Sequence, residues 1–190
     1  MRLKYRIQGF VMASGERYGL LVDRTTGAPL FHPNLFVTTQ VRNRSLSLAT
    51  MEAALTAINI FLTFCAERSI SLEERLLRRE FLGVQELDAV RDFCQWAFSV
   101  RRKYQRPEGK QLRFRVGSPS LHARLTHIAN YISWLASTSF TLRMDEATRH
   151  ALEVMRKGLL ARRPLRKARN ALNAAAGTKC RGLVVIHTFW

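Results

Sequence analysis

The side chains in this sequence that point most directly to a function are closely spaced lysines and arginines, which can bind anions. No acidic residue follows Glu153. Nine basic residues follow it: Arg156, Lys157, Arg162, Arg163, Arg166, Lys167, Arg169, Lys179 and Arg181. The formal net charge is +17 over 190 residues, and such a run repels itself unless a polyanion neutralises it. The pattern predicts binding to nucleic-acid phosphates, although the charge alone fits a ribosomal or membrane-surface partner equally well.

A second basic segment lies in the middle of the chain. Its members are Arg101, Arg102, Lys103, Arg106, Lys110, Arg113 and Arg115. Glu108 is the one acidic residue among them, and Pro107 and Gly109 interrupt any helix. The segment predicts a mobile basic loop that grasps a phosphate backbone. A charged connector without a ligand is the simpler alternative.

A third group precedes a strong helical pattern. Arg42 and Arg44 come shortly before Ser47 and Thr50, at the expected start of that helix. The free amides and the dipole of a helix N-terminus favour anions, so these four residues predict phosphate contacts. An ordinary cap flanked by solvated arginines is the alternative.

Groups typical of enzymes or metal sites are not evident. None of the five histidines has a partner at ligand spacing: His32, His122, His127, His150 and His187. The sequence has no Gly-rich phosphate loop and no nucleophile elbow. Cys65 and Cys94 fall on apolar helix faces and Cys180 in the tail, which indicates neither disulfides nor zinc. We expect no metal, no cofactor and no small-molecule substrate.

The elements that position these groups begin with extended structure. Tyr5 to Met12 and Tyr18 to Val22 are apolar-rich runs, separated by the turn signal Ser14-Gly15. They predict a small β-hairpin lobe over residues 1–40. Pro33, Asn34 and residues 41–47 then read as a connector.

Helical periodicity dominates the rest of the chain. Apolar residues at steps of three and four predict a first helix capped by Ser47: Leu48, Met51, Leu55, Ile58, Leu62 and Cys65. Ser71-x-x-Glu74 predicts a capping box for a short helix through Arg79. Leu87, Val90, Cys94 and Ala97 mark the next apolar face.

Two more helices follow the basic loop. Ser118 and Pro119 predict a capped start, and the helix is marked by Leu121, Leu125, Ile128, Ile132 and Leu135. The last helix is expected from Met144 to Leu160, with Ala147, Ala151 and Met155 inward. The fold class is therefore mainly α, a bundle of four to five helices over residues 41–160 with a small N-terminal β-hairpin lobe. Residues 161–190 form a basic linker and tail.

The bulk properties fit one core in the cytosol. At 47% hydrophobic residues the chain can bury one good core, so disorder throughout is disfavoured. The first residues lack the apolar run of a signal peptide, and no later stretch is expected to span a bilayer. Trp96 and Trp134 could stack on bases, but their helical spacing among apolar residues favours core packing.

Two helical passages resemble one protein family when they are taken together. The first is Arg44-Ser45-Leu46-Ser47-Leu48-Ala49-Thr50 with the following Ala57-Ile58-Asn59-Ile60-Phe61-Leu62-Thr63-Phe64-Cys65. The second is Ser118-Pro119-Ser120-Leu121-His122-Ala123-Arg124-Leu125-Thr126-His127-Ile128-Ala129-Asn130-Tyr131-Ile132-Ser133-Trp134-Leu135. In order and separation they resemble the first and last long helices of the SAM-like core-binding domain of tyrosine recombinases, the phage-integrase family, over about residues 41–165.

The resemblance implies a DNA clamp without its catalytic half. The family places DNA-facing side chains where this sequence has Ser120, His122 and Arg124, and a basic linker where it has Arg162 to Arg169. Its catalytic domain needs a His-x-x-Arg box and a late nucleophilic tyrosine. No histidine here has arginine three residues on, and Tyr131 is the last tyrosine.

These observations predict the DNA-binding module of a site-specific tyrosine recombinase from a mobile genetic element. It is expected to bind duplex DNA at the bacterial nucleoid without cleaving it, with other recombinase protomers as further partners and no membrane. Two alternatives stay open. The chain is a fragment of a complete integrase that catalyses strand exchange, or a truncated regulatory partner of an intact recombinase.

Overall fold

Residues 3–44, 47–98, 114–139 and 144–165 are described by a computed structural model. The described residues form two strands and six α-helices: β1 (Tyr5–Val11), β2 (Arg17–Asp23), α1 (Phe31–Phe36), α2 (Leu48–Glu67), α3 (Leu72–Leu77), α4 (Val84–Cys94), α5 (Ser118–Ser139) and α6 (Glu146–Ala161). A mainly helical fold with a small N-terminal hairpin is therefore confirmed. The helices outnumber the predicted four to five because α1 lies in the expected connector.

The hairpin is fastened to α2. β1 and β2 pair antiparallel from Tyr5 opposite Asp23 to Val11 opposite Arg17. Gly15 takes the positive φ of 81° that the turn between them requires. The Asn59 side chain of α2 donates to the Tyr5 carbonyl at 3.1 Å. Leu21 is fully buried, so the hairpin and the helices share one core.

The predicted connector, Pro33, Asn34 and residues 41–47, is helical up to Arg44. The chain there forms α1, a π-helical turn (Val37–Val41) and a 3-10 turn (Arg42–Arg44). The Asn34 side chain accepts from the Leu21 amide at 2.8 Å and donates to the Leu21 carbonyl at 3.0 Å. Phe36 and Val37 are buried. These long-range contacts stabilise helical turns that the polar residues and Pro33 do not suggest locally.

Helix α2 is buried more completely than its periodicity predicts. Ser47 caps it as predicted, because the Thr50 amide donates to the Ser47 hydroxyl at 3.3 Å. Of the predicted face, Met51, Leu55, Ile58 and Cys65 are buried and Leu48 and Leu62 are half-buried. Residues outside that face are buried too: Ala54, Ala57, Ile60, Phe61 and Phe64. The helix is also long and apolar enough to span a bilayer, contrary to the expectation that no segment is. Here the hairpin and neighbouring helices cover most of its surface.

Helices α2 and α5 make the most extensive contact between described helices. All five predicted core positions of α5 are buried: Leu121, Leu125, Ile128, Ile132 and Leu135. Trp134 packs on the core as predicted, with its ring 5.4 Å from that of Phe36. The helix already includes Ser118, and the Leu121 amide donates to the Gly117 carbonyl, so the predicted start is one residue late.

Two predictions on the shorter helices are wrong. Ser71 makes no side-chain cap, so the predicted capping box is absent, and α3 ends at Leu77 rather than Arg79. The glutamate that caps a helix is instead Glu86, whose carboxylate accepts from the Gly83 amide at 2.9 Å.

The inward face of α6 is also misassigned in part. Ala147 and Ala151 are exposed, whereas Met155 is buried as predicted. The buried set is Thr148, Leu152, Met155 and Leu159. Thr148 and Leu152, each one position after a predicted alanine, have larger side chains and fill the space against α4 and α5.

The two described cysteines are core residues, as predicted. Cys65 and Cys94 are both buried and both are free thiols. Burial raises the pKa of each thiol to about 12, so neither is an activated thiolate at neutral pH.

Candidate nucleic-acid interface

Residues 95–97, which follow α4, pair with residues 114–116, which precede α5. The Ala97 amide donates to the Phe114 carbonyl at 2.7 Å, and the Val116 amide donates to the Gln95 carbonyl at 2.7 Å. Trp96 and Arg115 form the β-bridge between them. We call residues 95–97 and 114–116 the neck. The predicted DNA-contacting residues Arg101, Arg102 and Lys103 fall in residues 99–113, outside the described residues, between the two sides of the neck.

Arg124 of α5 holds one side of the neck. Its Nη1 donates to the Cys94 carbonyl at 2.7 Å and to the Trp96 carbonyl at 2.8 Å. The side chain is half-buried, and burial lowers the pKa of Arg124, although an arginine stays protonated at physiological pH. On the other side, the Arg115 guanidinium lies 5.5 Å from the centre of the Trp96 ring, a cation-π contact.

The C-terminal end of α6 is fastened beside the same part of α5. Arg163 Nη1 donates to Thr126 Oγ1 of α5 at 3.3 Å. Arg162 donates to Asp88 Oδ1 at 2.6 Å, to the Gly158 carbonyl at 2.8 Å and to the Val84 carbonyl at 3.2 Å. The predicted residues Arg166, Lys167 and Arg169 come next in the chain, outside the described residues.

Both basic segments are therefore attached at one level of α5. Arg124, which holds the neck, and Thr126, which holds the end of α6, are two residues apart. At about 100° per residue they flank buried Leu125 on either side.

The first turn of α5 is exposed and lies one to two turns before Arg124 and Thr126. Ser118, Pro119 and Ser120 are exposed, and the turn contains no acidic residue. His122 is half-buried one turn further on. The positive end of a helix dipole favours anions, so Ser120 and His122 lie near a helix end where a phosphate contact is favoured.

The group before α2 has a different environment. Arg42 forms a bidentate ion pair with Glu16, with Nε and Nη2 2.8 and 2.7 Å from the two carboxylate oxygens. Its guanidinium also lies 5.6 Å from the centre of the Tyr18 ring. The hydrogen bond from Arg42 lowers the pKa of Glu16. Arg42 thus anchors the hairpin, while Ser47 and Thr50 form the start of α2 and the side chain of Arg44 lies outside the described residues.

Four arginines of the predicted site hold parts of the protein together. Arg42, Arg124, Arg162 and Arg163 all bond to groups of the protein itself. Sequence alone treats them as phosphate contacts, because a basic residue carries no sign of its partner. No group of three or more potential metal ligands occurs among residues 3–44, 47–98, 114–139 and 144–165.

Arg162→Ala is expected to lower the melting temperature of the protein. The Arg162 side chain is only 18% exposed and bonds to α4 and to the last turn of α6. Its loss leaves two backbone carbonyls and Asp88 without their donor. Lys157→Ala is the control, because Lys157 is 74% exposed and lies 3.9 Å from Glu153. Equal melting temperatures for the two variants in a thermal scan would show that Arg162 is no anchor.

A half-buried histidine of α5, His127, makes a pH dependence expected. Burial lowers the pKa of His127 below its ordinary 6.5, so below that pH the unfolded chain binds a proton that the folded protein resists. Stability is then complete above about pH 6.5 and falls as the pH is lowered through that value toward the folded pKa. We expect His127→Gln to lose less stability between pH 7.5 and 5.5 than the parent in urea titrations. Exposed His150→Gln is the control; a parent-like pH dependence in His127→Gln contradicts the assignment.

Comparison with known proteins finds no relative. No family model, no curated protein and no solved structure matches this chain. The charge, contacts and geometry of the chain itself therefore carry the function proposed below.

Proposed function

We propose that this protein is a helical module that binds duplex DNA with the N-terminal end of α5 and the two basic segments attached beside it. The observation that carries the proposal is the meeting of both attachment points at Arg124 and Thr126, on one level of α5. The described residues that border the two segments, which are distant in sequence, are held on opposite flanks of α5. A single extended polyanion can then contact both.

Charge supports a polyanion at this end of the bundle. Residues 99–113 hold six basic residues and one acid, and residues 166–190 hold five basic residues and no acid. Each segment has a net charge of +5, so together they supply ten of the seventeen net positive charges. Glu16, Asp88 and Asp145, which lie outside the two segments, form ion pairs with arginines of the protein itself.

Shape favours duplex DNA over the other polyanions. An α-helix of 10–12 Å diameter fits the major groove of B-DNA, which is about 12 Å wide. The major groove of an RNA duplex is too narrow and deep for side chains to read. The exposed first turn of α5 can approach such a groove while the flanking segments follow the phosphates on either side.

The finer fold proposed is the SAM-like core-binding domain of tyrosine recombinases. The Ser47 cap of α2, the 22-residue length of α5 and the close packing of α2 on α5 are consistent with the two passages that resemble that domain. A nucleoid location and association with other recombinase protomers follow from that resemblance.

The module is not expected to cleave DNA. A nucleophilic tyrosine must reach a phosphate and lie beside cationic groups. Tyr131 is only 1% exposed, its ring packs against Phe36 and Trp134, and burial raises its pKa. With a nicked suicide substrate we expect no covalent protein–DNA adduct on a denaturing gel. A tyrosine-linked adduct would contradict this part of the proposal.

The proposed function is tested by competition among polyanions. Fluorescence anisotropy of a labelled 30-base-pair duplex DNA is measured with the full chain, using unlabelled duplex DNA, duplex RNA, single-stranded DNA and anionic phosphatidylserine vesicles as competitors. We expect duplex DNA to compete best at equal phosphate concentration. Stronger competition by duplex RNA or by vesicles would instead support the ribosomal or membrane-surface partner.

A further inference from the structure

We infer that Arg124 is a positioning residue that fixes the neck, and that it supports DNA binding through the neck rather than by touching DNA. The inference rests on the proposed function and assigns one residue of that site a role. It replaces the expectation that the Arg124 side chain faces DNA.

The geometry gives Arg124 acceptors within the protein. One nitrogen, Nη1, serves carbonyls 30 and 28 residues earlier in the chain, those of Cys94 and Trp96. Cys94 is the last residue of α4, where a helix leaves its final carbonyls unpaired and carries a partial negative charge. The Arg124 guanidinium therefore caps the C-terminal end of α4 and also holds the start of the neck.

The neck depends on this cap because it is very short. Two backbone hydrogen bonds close it, from Ala97 to Phe114 and from Val116 to Gln95. A two-strand pairing of this size is marginal in water without further support. Arg124 orders the first strand of the neck, and the stack of Arg115 on Trp96 supports the second.

Hydrogen exchange tests the positioning role without DNA. Arg124→Met keeps the apolar stem of the side chain and removes its donors. We expect the Ala97 and Val116 amides to exchange at least about tenfold faster than in the parent, while the Ile128 amide of the α5 core is unchanged. Unchanged exchange at Ala97 and Val116 would overturn the inference. If Arg124→Met unfolds the bundle, Arg124→Gln, whose amide ends two bonds short of the guanidinium nitrogens, is measured in the same way, and parent-like exchange there would overturn the inference too.

A double-mutant cycle separates positioning from direct contact. Arg124→Met is combined with alanine at Arg101, Arg102 and Lys103, and duplex affinity is measured for all four proteins. We expect Arg124→Met to weaken binding about tenfold in the parent and less than about threefold in the charge-depleted background, because its effect passes through the segment on the neck. Equal losses in both backgrounds would mean that Arg124 contacts DNA itself.

The two proposals can fail separately. If the parent protein does not bind duplex DNA, the proposed function fails, whereas the exchange experiment still decides whether Arg124 fixes the neck. If the parent binds DNA and the exchange rates do not change, the positioning role fails and the proposed function stands.

Discussion

Leu125→Ala is expected to lower the free energy of unfolding by about 2–5 kcal/mol. Leu125 is fully buried in the core that α5 shares with α2, and the truncation leaves a cavity that the surrounding side chains can fill only in part. Ile128→Ala, one turn along the same buried face, is expected to have an effect of the same size. Urea titration followed by circular dichroism measures both.

The matched control for the core is on the outer face of α6. Val154 is 55% exposed, so Val154→Ala removes a similar number of carbon atoms without opening a cavity. Its expected effect is within about 0.5 kcal/mol of zero. A Leu125→Ala midpoint equal to that of Val154→Ala would mean that the α2–α5 core is assigned wrongly.

Replacing Arg101, Arg102 and Lys103 by alanine is expected to weaken binding to every duplex and to make the salt dependence shallower. Each phosphate contact releases condensed counterions and contributes about 0.9 to the slope of log affinity against log salt. Three lost contacts should therefore reduce the magnitude of the slope by about 2.7. Sequence preference should change little, because phosphate contacts carry no base information.

A charge-matched variant controls for the general field of the protein. Arg6, Arg17 and Arg78 are exposed on the hairpin and after α3, and their replacement by alanine removes the same three charges. We expect its salt slope to stay close to that of the parent. If both triple variants change the slope equally, binding follows net charge alone and the surface around the neck has no special role.

Elements that bury one face could be predicted from the sequence. The apolar face of α5 from Leu121 to Leu135 is predictable because one side of that helix packs against the core. The hairpin was readable from its turn residues. The all-round burial of α2 was not, since periodicity records which residues are apolar and not how many partners surround a helix. The sequence does not predict α1, because the hydrogen bond that holds it, from the Leu21 amide to the Asn34 side chain, joins residues far apart in sequence.

The candidate site was predictable only as far as its charge. The count of basic residues identifies the two segments, and their attachment beside one another requires the fold. The acceptors of Arg124 lie 28 and 30 residues away, and the carboxylate partner of Arg162 lies 74 residues away. Nothing in the local sequence distinguishes these anchors from arginines that face solvent.

The salt dependence of duplex affinity tests the central claim most directly. Anisotropy titrations of the parent protein with one 30-base-pair duplex are repeated between 50 and 200 mM salt. If half of the ten net charges carried by the two basic segments meet phosphates, the affinity should fall with a log–log slope of about 4.5 in magnitude. A slope below about 1, or no binding at 50 mM salt, would contradict a phosphate-binding surface at the neck and the end of α6.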